Sequence, residues 1–199
     1  MSTLVLPTGR LYPSLIKYFH DNLGIKLPEL KERKYYYHNF IRDYNMNLFL
    51  AKPKSIANLV GCGYADIGVC GEDIILNSQY KNELETISVL GDLKVRISLC
   101  SRKTKEELFA LKRPILVATE YDLIATEYFE KLGHPYYIFQ TFGSTEGYID
   151  LQDVDCIIDI VQTGNSLKSN NISELEVIAE SSTVLFKRKD NNININLFK

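Results

Sequence analysis

The chain lacks a surplus of either charge. Its 199 residues carry 23 Lys and Arg against 25 Asp and Glu, a formal net charge of −2. No broad basic field is present to draw nucleic acid, so any anionic ligand must be held by local groups. Cysteine and histidine are sparse, at four and three. Cys62, Cys70, Cys100 and Cys156 form no CxxC pair, and no histidine falls at zinc spacing, so no protein-bound metal is expected. Each cysteine sits in or beside an apolar run, the setting of a reduced core thiol. Disulfides are therefore not expected, which points to a cytoplasmic protein. Residues 1–7 lack the basic start and long apolar stretch of a signal peptide. No apolar run reaches membrane-spanning length, so no membrane association is expected. Tryptophan is absent as well, and nothing functional follows from that.

What is present is ordinary for a globular protein: 45% hydrophobic and 24% charged residues. This length suits one large domain or two small lobes. Residues 3–6 read as a strand, broken by Pro7-Thr8-Gly9-Arg10 and followed by helical spacing over 11–23. Arg10 thus falls at a strand-to-helix junction, where ligands meet α/β sheets; the alternative is a surface arginine. Residues 32–38 are basic and aromatic together. They suit stacking of a base or grip of phosphates, and equally a solvated edge strand. A strand over 47–51 leads through Lys52 into a helix opened by Pro53. A strand over 67–70 is bracketed by glycines, and Gly71 opens a helix carrying Glu72 and Asp73. Those carboxylates read either as an acid–base pair or as acids favoured in a first helical turn.

Further strands are predicted over 87–90 and 93–100, the second placing Lys94, Arg96 and Ser98 on one face. A helix over 103–111, a strand over 115–118 and a helix over 123–132 ended by Gly133 follow. Then come a strand over 136–139 and a turn at 143–146 into a short helix. Returning strands are predicted over 175–179 and 183–186, with a frayed polar tail from Asp190. The alternation implies parallel α/β sheet, in two lobes: 1–89 plus 178–199, and 90–177.

The most informative stretch is Asp-Ile-Val-Gln-Thr-Gly-Asn-Ser-Leu over 159–167. A buried strand over 154–158 precedes it, placing Asp159 at the strand's end. Thr163, Gly164, Asn165 and Ser166 then form a small-residue loop into a helix starting at Leu167. Backbone N–H groups in such a loop make an anion nest. The adjacent carboxylate would repel a phosphate but can accept hydrogen bonds from sugar hydroxyls. Acid and nest together suit a ribose 5-phosphate; a plain turn is the alternative. The loop is neither a Walker loop nor a dinucleotide fingerprint.

Over nearly its whole length the chain resembles the short form of ATP phosphoribosyltransferase. The resemblance is carried by residues 65–73, 117–121, 143–146 and, above all, 159–167. It implies a fold like type II periplasmic binding proteins with the active site in the cleft between lobes. It implies joining of adenine N1 of ATP to carbon 1 of phosphoribosyl pyrophosphate, with magnesium borne by the substrate. Asp159 would hold the ribose hydroxyls. Thr163, Gly164, Asn165, Ser166 and Leu167 would cradle the 5-phosphate, and Gly9 would complete the phosphoribosyl pyrophosphate contacts. Arg10 and Arg33 would balance charge on the departing pyrophosphate, and Lys52, Gly71, Asp73, Ser144 and Glu146 would contact ATP. A regulatory subunit similar to histidyl-tRNA synthetase and a dimer of catalytic chains are implied as partners.

The chain departs from the family where the family carries positive charge. Thr8 replaces a lysine before Gly9-Arg10, Glu72 and Glu120 replace lysines, and Lys52 replaces an arginine. Gly147-Tyr148-Ile149 stands where Leu-Ala-Pro is usual, and Asn171 replaces a glycine. Two alternatives follow: a diverged phosphoribosyltransferase with another acceptor, or a non-catalytic nucleotide- or anion-binding relative.

Overall fold

The computed structural model describes residues 1–30, 34–151, 153–193 and 198, with backbone alone at 92 and 93. The chain forms two compact units, Met1–Leu93 with Ser182–Lys199, and Lys94–Ser181. The sequence reading cut at 89/90 and 177/178 instead. The difference has a physical source: both crossings lie inside unbroken strands, β5 (Leu84–Ser101) and β9 (Ser173–Arg188). The reading split each into two short strands. Gly91, at φ +80°, and the polar Ser181-Ser182 interrupt the apolar pattern, but neither stops an extended backbone.

Unit 1 is built on β1 (Ser2–Pro7), β2 (Tyr36–Ile41), β3 (Met46–Ala51) and β4 (Ile67–Gly71). The order is β2-β3-β1-β4-β9. β1 is parallel to β3 and β4, while β2 and β9 are antiparallel to their neighbours. Leu4, Val5 and Leu6 are fully buried, and they alternate between two cores. Leu4 and Leu6 pack with Tyr12, Leu15 and Phe19 of α1 (Tyr12–Leu23). Val5 packs with Ile56, Ala57 and Val60 of α2 (Pro53–Gly61). That period of two over a central parallel strand is why the segment must be a strand covered on both faces. A short helix, α3 (Glu72–Leu76), follows β4.

The described residues of the tail, 190–193 and 198, are not frayed as expected. The Asn191 amide donates to Asp66 Oδ1 at 3.1 Å, Ile193 packs on the first core, and Phe198 is buried in a T-shaped contact with Phe19. Residues 194–197 and 199 lie outside the described residues.

Unit 2 has the order β5-β8-β6-β7, with β6 (Ile115–Thr119), β7 (Tyr136–Gln140) and β8 (Cys156–Val161). β6 is parallel to β7 and β8, and β5 is antiparallel to β8. Its helices are α4 (Lys105–Phe109), α5 (Asp122–Leu132) and α6 (Asn165–Ser169). α4 starts later than predicted because Thr104 and Glu107 close a capping box. α5 ends on Gly133 in the left-handed region. One core lies between Ile97, Leu99, Ile158 and the α5 side chains. The other holds Cys100, Ile157, Val161, Leu167 and Ile172, and it seats the site.

Candidate functional site

β8 is shifted from its predicted span. It begins at Cys156 and runs to Val161, so Asp159 lies inside the strand rather than at its end. Pairing with β5 sets this register: Arg96↔Val161, Ser98↔Asp159, Cys100↔Ile157. Asp159 is only partly exposed, and its Oδ1 accepts the Ile160 N–H at 2.7 Å. Burial pushes its carboxyl up to about 6. The Ile160 N–H and the Thr145 hydroxyl pull the other way, while the carboxylates of Glu146 and Glu120 push it further up.

After β8 the chain turns at Gly164, whose φ of +74° favours glycine. α6 starts at Asn165 rather than Leu167 and has only five residues, too short for a helix dipole to add much. The donors are instead individual N–H groups. Those of the first turn have no carbonyl one turn back to bond, and only the Asn165 N–H reaches locally, toward Thr163 Oγ1 at 3.4 Å. The loop is fixed from below. Leu167 is buried in the second core, and its carbonyl accepts the Ile172 N–H at 2.9 Å. The Asn170 amide donates to the Ser166 carbonyl at 2.9 Å and the Ser169 hydroxyl to the Asn165 carbonyl at 3.0 Å.

The 143–146 turn comes to the same place. Gly143 and Ser144 both have positive φ, and a 3-10 helix follows over Thr145–Asp150. Thr145 is buried, its hydroxyl 3.1 Å from that of Thr141. Glu146 next to it accepts a hydrogen bond from the Ser166 hydroxyl. Unit 2 therefore gathers Asp159, Thr163, Gly164, Asn165, Ser166, Leu167, Ser144 and Glu146, with Glu120 contributing charge. Sequence reasoning missed Thr141 and Thr145; their signal was polarity at positions that the fold buries. Of Lys94, Arg96 and Ser98, expected on one face, Arg96 and Ser98 are spent on Glu174, at 2.8 and 2.9 Å from Arg96 and 2.6 Å from Ser98.

Unit 1 holds the remaining residues. Gly9, at φ +85°, turns the chain out of β1 toward α1, and Arg10 beside it is exposed. Lys52 is the exposed N-cap of α2, and Gly71 the N-cap of α3. Asp73 is buried. Glu72 accepts the Ser182 N–H at 3.0 Å, so its carboxylate serves β9. Burial, with Asp73 and Glu72 adding, holds the Cys70 thiol well above its usual value and inert. Arg33 lies outside the described residues.

Comparison with known proteins bears on the family and the fold. A profile of the ATP phosphoribosyltransferase family matches residues 52–197. An ATP phosphoribosyltransferase of Clostridium botulinum strain Okra is 31% identical over 94% of the chain and 87% of its own length. One from Aquifex aeolicus is 31% identical over 96% and 86%. Among solved structures, the ATP phosphoribosyl transferase (HisG:HisZ) complex from Thermotoga maritima superposes with a TM-score of 0.79 at 25% identity, covering 94% of this chain and 88% of that one. The cofactor-binding domain of the Cbl transcriptional regulator shares the fold alone, with a TM-score of 0.50 at 14% identity over 99% and 83%. These likenesses are those of the two-unit α/β fold of type II periplasmic-binding-protein kind. With an acid and a main-chain donor loop on that fold, and with identity running along nearly its whole length, the chain belongs to the ATP phosphoribosyltransferase family.

Proposed function

We propose that the chain transfers the phosphoribosyl group of phosphoribosyl pyrophosphate to N1 of the ATP adenine, releasing pyrophosphate, as the first step of histidine biosynthesis. The observation that carries this is the pairing, in one unit, of the half-buried Asp159 with the donor loop at 163–167. The 5-phosphate would sit on the N–H groups and hydroxyls of Thr163, Gly164, Asn165, Ser166 and Leu167. Asp159 would accept hydrogen bonds from the ribose hydroxyls, a role that needs its ionised form.

In the reaction the bond from carbon 1 to the pyrophosphate oxygen breaks, and the ribose becomes oxocarbenium-like. The bonding electrons leave with pyrophosphate, while the adenine N1 lone pair forms the new bond. Charge growing on pyrophosphate is what Arg10, and Arg33 by membership of the family, would stabilise. Gly9 lets the backbone approach. Lys52, Gly71, Asp73, Ser144 and Glu146 would hold ATP so that its weak nucleophile lies in line, and positioning supplies much of the barrier reduction. Magnesium would arrive on the pyrophosphate. Among the described residues no group of three or more His, Cys, Asp or Glu is arranged to hold a metal ion.

The Thermotoga relative is part of a HisG:HisZ complex, and a HisZ-like regulatory subunit is the partner proposed here, with catalytic chains paired as dimers in the cytoplasm. The test is to mix phosphoribosyl pyrophosphate and ATP with the chain, alone and with such a subunit, and to follow pyrophosphate release and the nucleotide product. Absence of product under every partner condition overturns the reading. Turnover with another nucleophile but not ATP assigns a different acceptor.

A further inference from the structure

β5 ends at Ser101, whose side chain is buried. The Ser101 hydroxyl donates to the Asp155 carbonyl at 2.7 Å and accepts the Lys103 N–H at 3.0 Å. That turn sets Arg102 just past the strand, where its guanidinium meets two chain ends of unit 2. Its Nε and Nη2 donate to the Asn170 carbonyl at 3.2 and 3.0 Å, and its Nη2 lies 2.7 Å from Asp150 Oδ1. Asn170 caps the C-terminal end of α6, and Asp150 ends the 3-10 helix that carries Glu146. Arg102 therefore joins the segment holding the donor loop to the segment holding Ser144 and Glu146.

From those ends the bonds run back to the loop. The Asn170 side-chain amide donates to the Ser166 carbonyl at 2.9 Å, and the Ser166 hydroxyl donates to Glu146. Arg102, Asn170, Ser166, Glu146 and Asp150 thus close a ring of hydrogen bonds and short helical backbone. A phosphate that takes the Ser166 hydroxyl opens this ring at Glu146, and Arg102 still links the two segments. The link matters because Gly143, at φ +117°, and Gly147 flank Ser144–Glu146, and glycine backbone has the most freedom to lose. The Arg102 and Asp150 side chains are 41% and 63% exposed, so the pair adds little to global stability. Its effect falls on the alignment of the donors.

We propose that Arg102 is a positioning residue for the phosphate loop: by holding the Asn170 carbonyl and the Asp150 carboxylate together, it keeps 163–167 and 144–146 aligned for the anion. The proposal rests on the reading of 163–167 as the 5-phosphate loop, yet its first test is independent of turnover. Inorganic phosphate is titrated by calorimetry into the full chain and into R102Q, R102K, D150A and R102Q/D150A. R102Q is expected to weaken binding about fivefold. R102K, which keeps a cation but not the fork, should weaken it about twofold. D150A should weaken it about threefold although it removes a negative charge; an arginine acting through its charge alone predicts the opposite sign. The double variant should match R102Q, since both changes break one link. Melting temperatures should stay within a few degrees of wild type. In turnover, R102Q should raise KM for phosphoribosyl pyrophosphate by the same factor and leave kcat within about twofold, because the 5-phosphate is held alike in ground and transition states. Equal phosphate affinity in wild type and R102Q, tighter binding by D150A, or no phosphate binding by wild type overturns the proposal. Product formation from ATP together with equal affinity would leave the transferase reading standing and remove this one. Arg102-dependent phosphate binding without product formation would do the reverse.

Discussion

The Ser166 hydroxyl donates a hydrogen bond to the Glu146 carboxylate, so a negative side chain occupies one donor of the loop proposed to take a phosphate. An incoming phosphate must win that hydroxyl and tolerate the nearby charge. Two unit charges about 4 Å apart repel by about 1 kcal/mol even in water, or about fivefold in affinity. The variant E146Q is therefore expected to bind inorganic phosphate several-fold more tightly than wild type, read by calorimetry. Unchanged affinity would show that Glu146 and the ligand do not compete.

Asp159 gives opposed effects on activity and stability. Its carboxyl is raised to about 6 by burial first, with Glu146 and Glu120 adding. A carboxyl raised in the fold favours its protonated form. The stability it confers is fully present below the unfolded value of about 4 and is lost as pH rises through about 6. D159N is expected to be more stable than wild type at pH 7 by roughly 1–2 kcal/mol, a few degrees in Tm, and no more stable at about pH 4. The same variant should slow transfer by about two to three orders of magnitude. In wild type, kcat/KM for phosphoribosyl pyrophosphate should fall as pH drops below about 6, because the hydroxyls need an ionised acceptor.

Asp155 lies just before β8 and is buried, but it is structural. It accepts two hydrogen bonds from Arg113, at 2.7 and 2.9 Å, one from the Leu116 N–H at 3.0 Å, and pairs with Lys103 at 3.2 Å. Burial pushes its carboxyl up, yet Arg113, the Leu116 N–H and Lys103 together hold it below the usual carboxylate range. D155A is expected to cost about 2–4 kcal/mol by denaturant unfolding at pH 7. Because the folded value is depressed, the difference should shrink as pH falls below about 4.

Gly68 in β4 tests the core of unit 1. A Cβ there would stand 2.7 Å from the Phe186 ring and 2.9 Å from Val60 Cγ2. G68A is expected to destabilise by roughly 1–3 kcal/mol through overpacking. Trimming the ring in the double variant G68A/F186L should recover part of that loss in thermal melts, since the two sites share one contact.

The local grammar of this chain was readable in one dimension. Buried triplets such as Leu4-Val5-Leu6, Pro53 at a helix start and Gly133 at a helix end act over a few residues, so the sequence placed β1, α2 and α5 closely. The 159–167 stretch was legible for the same reason, since an acid, a positive-φ glycine and small hydroxyl residues are neighbours along the chain. Other features depend on partners far away in sequence. The Glu146–Ser166 bond spans 20 residues and the Glu72–Ser182 bond 110. Asp159 sits within β8 because Ser98 of β5 fixes the register, and its raised carboxyl comes from desolvation and charges that only packing brings near. Hydrogen-bond ladders also carried β5 and β9 through polar residues where the pattern broke. The sequence alone thus determined most of the local elements and the acid-and-glycine pattern over 159–167. Tertiary structure decided the register, the protonation and the contacts, because those energies depend on distance through space and on exclusion of water.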